Sequence, residues 1–365
     1  MSKIKRIGIL TGGGDCPGLN AVIRAVVGTA LIKHQIDVFG IRDGFSGLVR
    51  NIVEPLDLKS ISGILPHGGT ILGTSNRDNP FKYLVIAADG RKDYQDMSGN
   101  AVQTIKDNGL DVLITVGGDG TQAIAQMFFE KYQIPVVGVP KTIDNDLDGT
   151  DVTFGFDTAV STATNAIDRI HSTAESHHRV MVIEVMGRHA GWIALQAGIA
   201  GGADVILIPE MPYRLDKIVK KIEERRGRGK RFSLVVVAEG AKPEGGKEVV
   251  YREVEDPNEP RRLGGISRQV GDQIEEATGI ETRFTILGHV QRGGSPTPFD
   301  RILATRFGYH AVEAALNGEF GYLVGLRGQD IKTTLIKDAI ALPRRVKPDS
   351  DLVMTARALG TSLGL

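Results

Sequence analysis

Cysteine is nearly missing from these 365 residues: Cys16 stands alone. One thiol cannot form an intramolecular disulfide, so the fold must rest on its apolar core, and a reducing compartment is the expected setting. Tryptophan is as scarce, with one in the whole chain, and aromatic residues make up 5%. Neither charge is in excess, since 44 basic residues face 44 acidic ones. That balance excludes a general affinity for nucleic acid, and any anion site must be local. No apolar run approaches the roughly 18 residues of a membrane helix. The basic start Met1–Arg6 leads into Ile7–Leu10, too short an apolar stretch for a signal peptide. The expectation is a soluble, cytoplasmic protein with no nucleic-acid and no membrane partner.

Glycine, by contrast, is abundant. There are 46, about 13% against a usual ~7%, and they gather at the ends of apolar runs rather than in low-complexity tracts. Glycines so placed suggest backbone brought close to a ligand. The length exceeds what one core usually fills, so two domains are expected. Short β-branched runs ("IKRIGIL", "DVLITV", "IPVVGV", "RVMVIEV", "FSLVVVAEG") alternate with helical patterns such as "AVIRAVVGTALIKH", "TQAIAQMFFEKY" and "LDKIVKKIEERRGRGK". Continuous apolar strands joined by helices imply an α/β fold with two largely parallel sheets covered on both faces. The polar stretch 241–265 reads as a surface excursion.

Two glycine turns follow strands and open helices: "LTGGGDCPGLN" (10–20) and "VGGDGTQ" (116–122). In open α/β sheets such turns bind ligands at helix N-termini, although each can also be an ordinary tight turn. The first fits neither common phosphate fingerprint. Pro17 stands where the dinucleotide pattern needs its third glycine, and Leu19–Asn20 replace the Lys-Ser/Thr of the P-loop. In the second, Asp119 can hold Mg²⁺ against a polyphosphate or act as the N-cap of the next helix. "VPKTIDNDLDGT" (139–150) sets Asp144 and Asp146 two apart after a strand. In an extended loop both face one side and can share proton transfer and positioning; a solvated acidic turn is the plainer alternative.

"LTGGGDCPGLNAVIR", "GGDGT", "PKTIDNDL", "EVMGRHAGWIAL" and "GHVQRGGSPTPFDR", in this order, resemble the phosphofructokinase family over nearly the whole chain. "GGDGT" alone is shared with NAD and lipid kinases, whereas "TIDND" with "MGR" and "HVQRGGSP" is specific. The resemblance implies two α/β domains with the active site in the cleft between them: a larger nucleotide-binding domain, 1–155 with 291–341, and a smaller fructose 6-phosphate-binding domain, 156–290 with 342–365. It implies MgATP as phosphoryl donor and formation of fructose 1,6-bisphosphate, the committing step of glycolysis. Gly14, Arg77 (to within one position), Gly118, Asp119, Gly120 and Thr121 would contact the nucleotide, with Asp119 on Mg²⁺. Asp144 would be the general base, with Gly120, Lys141 and Arg188 also in the catalytic set. Thr142, Ile143, Asp144, Met186, Gly187, Arg188, Glu239, His289, Val290, Gln291 and Arg292 would bind the sugar phosphate. Arg179 and Arg283 match arginines that reach it from a neighbouring subunit, which implies a homodimer or homotetramer.

Two residues bear on the donor. Gly120 leaves room for the α-phosphate of ATP where pyrophosphate-using relatives carry aspartate. Lys141 before "TIDND" is the residue typical of pyrophosphate users. The combination resembles the mixed-substrate subgroup, which generally uses ATP, and pyrophosphate is the alternative donor. Basic effector-site positions of regulated bacterial members correspond to His171 and Phe232 here, with Lys230 and Arg231 kept, so standard nucleotide activation is not expected.

Overall fold

The computed structural model describes residues 4–86, 90–254 and 261–365. The chain first forms β1 (Arg6–Thr11), β2 (Asp37–Ile41), β3 (Val53–Leu56), the antiparallel pair β4 (Tyr83–Ile86) and β5 (Lys92–Gln95), β6 (Val112–Gly117) and β7 (Val136–Pro140). After the helix Phe156–His177 come β8 (Val180–Val185), β9 (Val205–Leu207), β10 (Ser233–Ala238), the ribbon β11 (Val250–Glu253) with β12 (Arg261–Leu263), and β13 (Thr282–Ile286). The chain continues with β14 (Tyr322–Arg327) and β15 (Asp330–Leu335).

Two compact units result. One comprises 1–143, 147–157 and 292–342; the other comprises 144–146, 158–291 and 343–365. The first holds a seven-stranded sheet of order β15-β14-β7-β6-β1-β2-β3, parallel except at its two antiparallel margins. β6 and β7 are buried at every position, as strands covered on both faces must be. The helices Phe45–Arg50, Ser98–Asp107 and Asp119–Tyr132 pack Leu48, Ile105 and Phe128 against Leu10, Leu113 and Val136. Burying an aromatic such as Phe128 contributes about 1.5–3 kcal/mol. The helices Leu19–Gly28 and Pro298–Leu316 approach closely because residue 308 is glycine: a Cβ there would lie 2.7 Å from the Val22 carbonyl oxygen.

The second unit holds a parallel sheet of order β13-β8-β10-β9. Ile218 and Ile222 of the helix Leu215–Gly227, with Ile266, Val270 and Ile274 of the helix Ile266–Thr278, pack against Val180, Val182 and Val235. Ser362 extends the β9 margin, donating to the Asp204 carbonyl and accepting from the Ile206 amide, both at 2.9 Å.

One local reading needs correction. The helical pattern at 21–34 is not one α-helix: it ends at Gly28 and widens into a π-helical turn, Thr29–His34, closed by Gln35 at φ 56°. The polar stretch 241–265 carries the mostly exposed β11–β12 ribbon, which is compatible with a surface excursion; residues 255–260 lie outside the described residues. Among the described residues no helix is long and apolar enough to cross a membrane.

Candidate active site

In the first unit, the turns after β1 and β6 lie side by side. The Gly12 amide donates to the Val116 carbonyl at 2.9 Å, and the buried Thr121 fills the space between the turns. A Cβ on Gly12 would lie 2.6 Å from the Thr121 hydroxyl, and one on Gly117 would strike the same side chain. These two glycines therefore serve packing. Gly13 is held at φ 76° by a hydrogen bond from its amide to the Ser75 carbonyl, 2.9 Å, while the Thr74 hydroxyl donates to the Gly13 carbonyl at 2.7 Å.

Two cations flank this turn. The Lys141 ammonium, on a side chain only 3% exposed, donates to the Gly14 carbonyl. The Arg292 guanidinium donates to the Asp15 carbonyl at 3.2 Å, and a Cβ on Gly14 would lie 2.9 Å from it. Burial pushes the Lys141 pKa down, and the Arg292 charge pushes it the same way. A buried ammonium and a guanidinium meeting at one glycine turn, in a chain of zero net charge, make this turn a candidate local anion site.

Gly118 is the N-cap of the helix Asp119–Tyr132, so Asp119 is its first helical residue and not the N-cap. The Asp119 side chain is exposed and makes no hydrogen bond or ion pair among the described residues. The first amides of this helix lack intrahelical partners, as at any helix N-terminus. Gly120 has no structural need to be glycine: its φ is not positive, and a Cβ would meet nothing within 4 Å. Gln122, which the sequence reading passed over, ties β6 to β7 from full burial. Its amide nitrogen donates to the carbonyls of Thr115 and Val139 at 2.9 and 3.1 Å. Asn20 is a second such residue. Its oxygen accepts from the Ile71 amide at 2.9 Å and its nitrogen donates to the His67 carbonyl at 3.1 Å, which fixes the loop that leads to the exposed Arg77.

In the second unit, three adjacent strands carry the predicted sugar-binding segments at their carboxyl ends: Met186–Arg188 after β8, Glu239 after β10, and His289–Gln291 after β13. Gly187 takes φ 137°, and the Gly240 amide donates to its carbonyl at 3.1 Å. Arg188 is half-buried and donates to the Arg261 carbonyl at 2.8 Å. His289 and Val290 are exposed. Gln291 is fully buried, donating to the Gly288 carbonyl at 3.0 Å and accepting from the Met186 amide at 3.4 Å, so it joins two of the segments from beneath.

Arg179 and Arg283 lie elsewhere, at the amino ends of β8 and β13, both ion-paired to Glu281. The seven steps along the chain from Arg179 to Met186 span roughly 23 Å of strand. These two arginines are therefore separated from the carboxyl-end segments of their own chain by the length of the sheet.

The segment 142–147 departs from the extended form that its spacing suggests. Asn145 is left-handed, φ 52°, and buried, while Asp144 and Asp146 on either side are half-buried. Ile143 is fully buried, so any contact it makes with a ligand comes from its backbone. The rings of His171 and Phe232 meet edge to face at 5.0 Å. Lys230 and Arg231 line a nearby cavity of about 330 Å³. Among the described residues no three His, Cys, Asp or Glu side chains group as a metal cage.

A profile of the family described as Phosphofructokinase matches residues 6–315. The ATP-dependent 6-phosphofructokinase 2 of Clostridium perfringens is 52% identical over 363 residues, covering 99% of both chains. A pyrophosphate–fructose 6-phosphate 1-phosphotransferase of Streptomyces coelicolor is 51% identical over 347 residues, 94% of this chain and 96% of that one. The solved phosphofructokinase of Saccharomyces cerevisiae superimposes with a TM-score of 0.78 at 34% identity, over 92% of this chain and 45% of that chain. With glycine turns, paired cations and carboxyl-end segments arranged as described, and with likeness along its whole length, this chain belongs to the phosphofructokinase family.

Proposed function

We propose that the protein transfers the γ-phosphoryl group of MgATP to the 1-hydroxyl of D-fructose 6-phosphate, giving D-fructose 1,6-bisphosphate, the committing step of glycolysis. The observation that carries this reading is the meeting of Lys141 and Arg292 at the Gly13–Gly14 turn, with the exposed Asp119 carboxylate near enough to act on the Lys141 charge. Fructose 6-phosphate is the acceptor named for the pyrophosphate-using relative, and the same acceptor fits the name of the ATP-dependent one.

The first unit holds the donor. Gly14, Gly118, Gly120, Thr121 and Arg77 line the polyphosphate, and the helix N-terminus at Asp119 favours its charge. One exposed carboxylate without a cage suits Mg²⁺, which prefers one or two carboxylates plus phosphate oxygens. Mg²⁺ held by Asp119 would draw charge from the phosphate oxygens. The second unit holds the sugar phosphate through Met186–Arg188, Glu239 and the 289–291 turn, with Thr142, the Ile143 backbone and Arg292 adding contacts. Asp144 takes the proton from the 1-hydroxyl as that oxygen forms its bond to the γ-phosphorus and the bond to the β-phosphate oxygen breaks, releasing ADP. Lys141, Arg188 and Arg292 offset charge on the transferring group.

Arg179 and Arg283, a sheet's length from their own carboxyl-end segments, serve the sugar phosphate of a second copy, so the working form is a homodimer or homotetramer. Pyrophosphate is the second reading for the donor, favoured by Lys141 and by the Streptomyces relative. The open space at Gly120 favours ATP. The deciding experiment supplies purified protein with fructose 6-phosphate, Mg²⁺ and either donor, and measures fructose 1,6-bisphosphate. Faster turnover with ATP is expected. Preference for pyrophosphate would reverse the donor assignment, and no product with either donor would end the kinase reading.

A further inference from the structure

We infer that Arg344 is a positioning residue for the segment that carries Asp144, acting through the backbone of Asn145 and Asp146; this rests on the reading of Asp144 as proton acceptor. The Arg344 amide donates to the Asp146 carbonyl at 2.7 Å, and its Nη1 donates to the Asn145 carbonyl at 3.5 Å. One residue thus grips two successive carbonyls at the left-handed Asn145. A non-glycine residue in that conformation costs about 1–3 kcal/mol and persists only where its surroundings over-determine it.

Arg344 is itself held from behind. Its guanidinium lies 4.7 Å from the centroid of the Trp192 ring, and the Trp192 indole N–H donates to the Arg344 carbonyl at 3.0 Å. Two residues on, the Val346 amide donates to the Glu210 carboxylate at 2.9 Å, and the same carboxylate accepts from the Gly191 amide at 3.0 Å, one residue before Trp192. Residues 343–347 form no helix or strand of their own, so these contacts define their path. Arginine suits the place because a planar guanidinium stacks flat on an indole while its edge still donates; an ammonium cannot do both. The proton acceptor is therefore set by a strap some 200 residues further along the chain, anchored on the single tryptophan.

Arg344→Ala and Arg344→Lys test this, the second serving if the first does not fold. A displacement of about 1 Å at a reacting group can cost ~10²-fold in rate, so kcat should fall about 10- to 100-fold for Arg344→Ala, while KM for fructose 6-phosphate and for the nucleotide stays within about threefold. Arg344→Lys should recover part of the loss, and added guanidinium should partly rescue Arg344→Ala. Tryptophan emission should shift in both variants, because Trp192 is the only tryptophan. Amide exchange at 145–147 should quicken by at least about tenfold in Arg344→Ala while the amides of β10 keep their protection. Unchanged exchange at 145–147, or a wild-type kcat despite faster exchange, would overturn the inference. The exchange and emission readouts need no turnover, so they judge the grip of Arg344 even if the kinase reading itself fails.

Discussion

Gly120→Asp separates what the fold needs from what the donor needs. Residue 120 sits in the first turn of the helix Asp119–Tyr132, and an added Cβ meets nothing within 4 Å. Replacing glycine relieves a helix penalty of about 0.5–1 kcal/mol relative to alanine. A carboxylate in a first helical turn gains about 0.3–1 kcal/mol from the dipole, against an aspartate propensity cost of about 0.5 kcal/mol. Stability should therefore rise by about 0.3–1.5 kcal/mol. The donor should suffer: a carboxylate about 4 Å from a phosphate charge costs about 1 kcal/mol in water and about 4 kcal/mol at an effective dielectric near 20. At 1.36 kcal/mol per decade, kcat/KM for ATP should fall about 5- to 1000-fold. Thermal unfolding read beside initial rates at low ATP measures both quantities. An ATP kcat/KM within about threefold of wild type would refute the argument from the donor side, and a marked loss of stability would refute it from the fold side.

Asp144→Ala should lower kcat by about 10²–10⁴-fold, the range of general acid–base catalysis, with fructose 6-phosphate affinity by calorimetry nearly kept; turnover close to wild type would remove Asp144 as the proton acceptor. Lys141 supplies a pH test. Burial lowers its pKa in the folded chain, so between that lowered value and the ordinary one of 10.5 the unfolded chain holds more protons and stability rises with pH. Lys141→Met should abolish that alkaline rise in denaturant titrations, and a wild-type slope in the variant would contradict it. Cys16 is fully buried, and burial pushes its pKa up to about 12, so native protein at pH 8 should resist iodoacetamide that modifies the unfolded chain within minutes; rapid labelling of the native form would show that the thiol is accessible.

Much of this architecture was legible because its signals are local. Continuous apolar runs such as "DVLITV" announce doubly covered strands, and glycines at their ends announce turns without side chains in the way. Periodicity could not reveal contacts between distant residues. Nothing near position 13 indicates that Thr74 and Ser75 will fix it, and nothing near Asn145 indicates a partner 199 residues away. Gln122 reads as one more polar residue of an amphipathic helix, yet it is buried because three strand carbonyls converge on it. The spacing of Asp144 and Asp146 suggested an extended loop, and the left-handed Asn145 between them could not be read from residue type alone. For Arg179 and Arg283 the sequence supplied an association and the register supplied a place, since pairing of Arg283 with Met181 sets both at the amino ends of their strands.

The interleaving of the two units bears on how the protein is made. The seven-stranded sheet lacks β14 and β15 until residue 335 has left the ribosome, and the smaller sheet lacks its Ser362 margin and the segment that grips Asn145 until later still. Neither half can mature as a nascent N-terminal piece while the other is being translated, the usual order for chains of two domains. A ribosome stalled before codon 340 therefore leaves two unfinished cores, and neither unit corresponds to a contiguous gene fragment that could be moved to another protein by itself.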